Sequence, residues 1–181
     1  MNSLSAENLK EQGIALFMQH DYEAANRVFQ QAKDTYSESN DYDMVAEMKV
    51  NIGLVHRSLD ENQQALELMQ EALAHFKDTN DELRMAQVLG NLGGVYQSLN
   101  DMEKAELSFR QAANIFKDLG QETMYSDTLM ALGLLLFKDG QFLAGASTYQ
   151  MGVENRENLT FSQRIIKVLA GIFDKLNGRS S

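Results

Sequence analysis

The chain has 181 residues, 44% of them hydrophobic and 23% charged, with 9 Phe and 6 Tyr, enough apolar material for a substantial core in one or two domains. There is no Pro and no Cys. Long uninterrupted helices are therefore permitted, while disulfides and thiolate metal sites are excluded. The net charge of −10, from 26 acids against 16 bases, has the wrong sign for nucleic acid, whose phosphates require clustered Lys and Arg.

Met1-Asn2-Ser3-Leu4-Ser5-Ala6-Glu7 lacks the basic flank and apolar core of a signal peptide. No apolar run approaches the roughly 20 residues needed to cross a bilayer. A cytoplasmic protein is expected, and a reducing compartment suits a chain without cysteine.

The predicted elements repeat. The first unit, about residues 5–40, has Gly13, then Ala25, Phe29 and Ala32, with a break at His20-Asp21. The second, 41–80, has Gly53, Ala65, Met69 and Ala72 in the same register, with a break at Asp60-Glu61-Asn62. The third, 81–120, has Gly93, Ala105, Phe109 and Ala112. Its apolar residues Met85, Val88, Leu89, Leu92, Val95, Tyr96 and Leu99 recur at helical steps, Asn100-Asp101 interrupts them, and Met102, Ala105, Phe109, Ala112, Ala113 and Phe116 resume. The fourth, 121–158, has Gly133, Gly145, Tyr149 and Gly152, with a break at Asp139-Gly140. Between units, Ser37-Glu38-Ser39-Asn40, Asp78-Thr79-Asn80-Asp81 and Asp118-Leu119-Gly120-Gln121 carry turn chemistry, and Asn80 or Asp81 is a good N-cap.

The glycine column, one Gly every 40 residues, needs a physical reason, because Gly inside a helix costs about 1 kcal/mol relative to Ala. Close approach of two antiparallel helices supplies it. Two helices joined by a short turn approach closely only if one side presents Gly or Ala at the crossing, and the large residue one turn on then fills the groove beside it.

After the fourth unit, Thr160 can cap a helix over 160–177 with Ile165, Ile166, Leu169, Ile172, Phe173 and Leu176 on one face. Capping the last repeat is the expected role; contact with a partner or a second copy, or a membrane-surface helix, are the alternatives.

Leu92-Gly93, Tyr96, Ala105, Phe109 and Ala112, with Leu89 in the position of the motif's Trp, resemble the tetratricopeptide repeat. Ile52-Gly53 with His56, Leu132-Gly133 with Leu136, and Gln12-Gly13 with Leu16 follow with substitutions. The likeness covers roughly residues 5 to 156. The unit is longer than the usual 34 residues and lacks its Pro, as in repeat proteins similar to kinesin light chains, to spindle-orienting adaptors and to bacterial Leu-Gly-x-Val-Tyr proteins. The resemblance implies an all-α superhelical solenoid of four helix-turn-helix repeats and a C-terminal capping helix, forming one domain.

It also implies a concave groove, lined by the first helix of each unit, that holds an extended peptide or a partner helix. By register the groove comprises Lys10, Ile14, Asn51, Leu54, Arg57, Gln87, Gly90, Asn91, Gly94, Gln97, Met130 and Leu134. Asn51 and Asn91 can hydrogen-bond peptide amides, or be solvated helix residues. Gly90 and Gly94 leave backbone bare, for an apolar side chain of the partner or for another helix. The family's carboxylate clamp is matched only at Lys10 and Asn51, so that mode of binding is not expected. Glu7, Glu47, Gln87 and Asp127 form an acidic row that favours a neutral or basic partner.

Nothing suggests catalysis or a cofactor. His56 sits in the Tyr column and is expected in the core, while His20 and His75 lack the spacing of a zinc helix. Phosphate loops and nucleophile elbows are missing. The expected function is a non-enzymatic scaffold or adaptor; the alternative is a self-associating structural module using the last helix or the groove.

Overall fold

The computed structural model describes residues 5–154. They form α1 (Ala6–Met18), α2 (Tyr22–Glu38), α3 (Tyr42–Ser58), α4 (Asn62–Asp78), α5 (Glu82–Ser98), α6 (Met102–Asp118), α7 (Glu122–Lys138) and α8 (Phe142–Glu154), with no strand among the described residues. The fold is all-α, a succession of helix-turn-helix repeats. The helix expected over 160–177 and the end of the fourth unit lie outside the described residues. The chain divides into two compact units, Met1–Asp101 with α1 to α5 and Met102–Ser181 with α6 to α8.

One turn recurs at every junction. His20, Asn40, Asp60, Asn80, Asn100, Gly120 and Gly140 all have positive φ, between 55° and 81°, so the left-handed residue returns every 20 positions. After α1, the His20 amide donates to the Phe17 carbonyl and the Asp21 amide to that of Leu16, both at 3.0 Å. After α4, Asn80 donates to Lys77 at 3.2 Å and Asp81 to Phe76 at 2.9 Å. These pairs are Schellman closures, which satisfy carbonyls that a helix end leaves free. The residue after the left-handed one starts the next helix: Asp21, Asp41 and Asp81 accept the amides of Ala24, Met44 and Arg84. Asn80 therefore turns the chain and Asp81 caps it.

In the first unit each helix packs on the next, α1 on α2, α2 on α3, α3 on α4 and α4 on α5. One core cluster joins Leu9, Phe29, Tyr36, Met48, Ile52 and Val55; a second joins Met69, Phe76, Val88, Leu92 and Val95. Ala25, Ala32, Ala65 and Ala72 are fully buried where helices cross. A Cβ on Gly13 would lie 2.6 Å from Cδ1 of Phe29, and one on Gly53 would lie 3.1 Å from Cγ of Met69. Gly93 is buried.

In the second unit α6 packs on α7 and α7 on α8. Ala105, Phe109, Ala112 and Phe116 are buried on α6, Leu129, Leu132, Leu135 and Leu136 on α7, and Tyr149 and Val153 on α8. A Cβ on Gly133 would lie 2.7 Å from the Tyr149 backbone nitrogen, and one on Gly152 would lie 2.6 Å from the Ser126 carbonyl oxygen. Gly145 and Gly152 thus stand in columns that hold alanine elsewhere because backbone, as well as a side chain, lies within about 3 Å of where a Cβ would be. Phe142, Leu143 and Met151 remain exposed on α8.

Candidate ligand-binding face

In the first unit α3 and α5, the first helices of successive repeats, lie beside each other. Asn51 of α3 and Asn91 of α5 occupy equivalent positions and are both half-buried. Neither side-chain amide has a hydrogen-bond partner among the described residues. A half-buried primary amide can donate two hydrogen bonds and accept two, and leaving them unmade costs free energy. The two positions are thus suited to a polar ligand such as a polypeptide backbone.

Charges on α1 and the start of α3 are matched. Lys10 pairs with Glu7 at 2.8 Å and with Glu47 at 3.6 Å. The Tyr36 hydroxyl donates to Glu7 Oε2 at 2.8 Å. The hydrogen bond from Lys10, with that from Tyr36, holds the Glu7 carboxyl below its ordinary pKa. Burial works against the Lys10 ammonium, but the bond and charges of Glu7 and Glu47 outweigh it and raise its pKa. The acidic row is therefore partly neutralised from within. Gln87 is exposed.

Arg57 differs. Its guanidinium lies directly against Gly94, in the place a Cβ there would occupy. It is half-buried, no carboxylate reaches it among the described residues, and burial pushes its pKa below the ordinary arginine value. A Cβ on Gly90, one helical turn away, would meet nothing within 4 Å. The bare strip of α5 is therefore not a uniform apolar notch: a cation from α3 fills it at Gly94, and it stays open at Gly90. The reason is reach, since the long stem of arginine spans to the neighbouring helix.

The other groove positions separate by exposure. Ile14 is 45% exposed, while Leu54 and Gln97 are half-buried. In the second unit Leu134 is 49% exposed, but Met130 is 7% exposed and its Cγ lies 2.9 Å from where a Gly152 Cβ would be. Met130 is a core residue, not a groove residue, because the missing side chain at Gly152 draws α8 onto it.

His56 is not a core residue either. Half-buried at the end of α3, it donates from Nδ1 to Glu61 Oε2 at 2.6 Å, across the turn into α4. Sequence reasoning also missed a network in the first unit. Asp43 accepts from His75 Nε2 at 2.6 Å and from Arg84 Nη2 at 3.0 Å. Arg84 Nε also donates to Asp81 Oδ2 at 2.6 Å, and its guanidinium lies 4.8 Å over the Phe76 ring. Only the Asp81–Arg84 spacing of three residues is a signal in the sequence. Among the described residues no group of three or more His, Cys, Asp and Glu could hold a metal ion, and no helix is long and apolar enough to cross a membrane.

Comparison with known proteins adds a family and a fold. Residues 44–118 match the tetratricopeptide repeat family. No curated protein matches the chain in sequence. Among solved structures, BtubC (BKLC) from P. vanneervenii is similar at 20% identity and TM-score 0.69, over 100% of this chain and 69% of that one. RapI in its apo form is similar at 17% identity and TM-score 0.76, over 95% of this chain and 47% of that one. The Rap conjugation gene regulator of plasmid pLS20, solved with the Phr* peptide, is similar at 14% identity and TM-score 0.75, over 96% of this chain and 54% of that one. The chain thus spans about half the length of these two Rap proteins, and at such identities the likeness is one of fold. Residues 44–118, at the centre of the 40-residue register, are tetratricopeptide repeats.

Proposed function

We propose that the chain is a non-enzymatic scaffold that holds an extended peptide or a helix of a partner protein against the first helices of its repeats. One observation carries the reading: Asn51 and Asn91, equivalent in register and half-buried, have amides with no partner of their own. Two such amides on neighbouring helices suit a polypeptide main chain, which offers a donor and an acceptor at each residue. The fold of the Rap regulator solved with a bound peptide lends support by analogy. Net charge −10 favours a partner that is neutral or basic overall, chiefly through its association rate. The cytoplasm is the compartment proposed for a chain without cysteine.

The test is selection of binders from a displayed library of random dodecapeptides, followed by affinity measurement on the Asn51→Ala, Asn91→Ala double variant. Loss of two to four hydrogen bonds should weaken the selected peptides by about 10-fold or more. The melting temperature should stay close to that of the parent, because neither amide holds the fold. Unchanged affinity in the double variant would remove this face from the model.

A further inference from the structure

We infer that Arg57 and the open backbone at Gly90 form a receptor for one carboxylate side chain, an Asp or Glu set in a bound segment that is otherwise neutral or basic; this rests on the groove reading above. The starting point is an imbalance within the first unit. Lys10 is paired with Glu7 and Glu47, Lys33 with Asp34, Lys49 with Glu71, and Arg84 with Asp43 and Asp81. Arg27 and Lys77 also lack such a partner among the described residues but are exposed, whereas Arg57 is half-buried without one. Glu61, four residues further along the chain, is engaged elsewhere, accepting from His56. A charge withdrawn from water without a counterion is costly, and a ligand that supplies the counterion recovers that cost on binding.

Geometry narrows the ligand. The guanidinium lies against α5 at Gly94, in the place a Cβ there would occupy. At Gly90, one turn along, there is free space. An apolar side chain entering there would abut a cation, whereas a carboxylate could take two parallel N–H bonds from the guanidinium fork. A polyanion is disfavoured by the −10 charge of the whole chain, but a single carboxylate needs only the local cation. The partnerless amides of Asn51 and Asn91 on the same two helices suit the main chain beside that side chain.

The experiment uses the full chain and the dodecapeptide selection described above, repeated on Arg57→Gln and Arg57→Lys. Selection on the parent should fix an acid at one position of the peptide, and selection on Arg57→Gln should lose that preference. For one selected peptide, Arg57→Gln and a Glu-to-Gln (or Asp-to-Asn) change in the peptide should each weaken binding by about 10- to 100-fold, and the two together by little more than either alone. Arg57→Lys, which keeps the charge and loses the fork, should recover only part of the affinity. A thermal melt of each variant separates this from loss of fold. Peptides that lose affinity in the Asn51, Asn91 double variant yet carry no fixed acid would overturn the carboxylate receptor alone. Multiplicative losses in the double change would also overturn it. A library that yields no binders would overturn the groove reading and the receptor with it.

Discussion

Gly133 of α7 and Gly145 of α8 face each other so closely that a Cβ on either would lie 2.9 Å from the other's carbonyl oxygen. At Gly13 the neighbour is the Phe29 ring and at Gly53 chiefly the Met69 side chain. Side chains can move aside, while paired helix backbones move only together. Gly133→Ala and Gly145→Ala are each expected to destabilise by about 1–3 kcal/mol, because overpacking exceeds the gain in helix propensity. At Gly53→Ala a flexible methionine yields, and the propensity gain should bring the change near zero. Urea unfolding followed by circular dichroism checks the contrast; equal effects at Gly53 and Gly133 would count against a backbone origin.

The turns give a second contrast. Asp60 and Gly120 occupy the same left-handed turn at φ 60° and 66°, one with a side chain and one without. A left-handed residue with a Cβ costs roughly 1 kcal/mol, somewhat less for Asp and Asn. Asp60→Gly is therefore expected to raise the melting temperature and Gly120→Ala to lower it. No side-chain hydrogen bond of Asp60 complicates the first change, since only its backbone is used, the amide donating to the Arg57 carbonyl and the carbonyl accepting from Asn62.

These turns also show what the sequence hides. The 40-residue register was legible because its columns repeat residue types, Gly over small over large. The turns every 20 residues were legible as breaks, but their common left-handed residue was not, because that conformation is taken by His, Asn, Asp and Gly in turn. A like limit governs the bare strip of α5. Gly90 and Gly94 announce missing side chains, but nothing in a linear reading says that Arg57 reaches across to fill one and leaves the other open. Met130 was misplaced for a related reason, since its burial follows from Gly152 on another helix. The Asp43–His75–Arg84 network joins residues 32 and 41 positions apart, beyond any local spacing rule.

That network makes stability depend on pH. The hydrogen bond from His75, with that from Arg84, holds the Asp43 carboxyl below its ordinary value of 3.8. At Asp81 burial acts in the opposite direction, yet the bonds from Arg84 prevail and its pKa is also lowered. A carboxyl with a folded pKa below its unfolded one contributes stability that is present above about pH 4 and lost as pH falls through the folded value. The parent should therefore melt higher than Asp43→Asn at pH 6, and the gap should narrow on acidification to pH 3. Both groups are partly exposed, so added salt should narrow the gap as well. A gap independent of pH would assign the defect of the Asp43→Asn variant to packing.

Gly94 separates the fold from its use. A methyl added there meets only the guanidinium of Arg57, the far end of a flexible side chain, and no backbone. Arg57 can swing toward solvent, where its charge is better hydrated, so the collision should cost the fold little. Replacing a helical glycine by alanine meanwhile gains up to about 1 kcal/mol. Gly94→Ala is thus expected to melt at or above the temperature of the parent. In swinging away, however, the guanidinium leaves the backbone on which it rests and faces a ligand without fixed orientation, so a selected acidic peptide should bind about as weakly as it does to Arg57→Gln. The paired measurement is a melt and a titration with that peptide on one preparation. Gly94→Ala that keeps full affinity would mean that the contact between Arg57 and α5 has no part in binding.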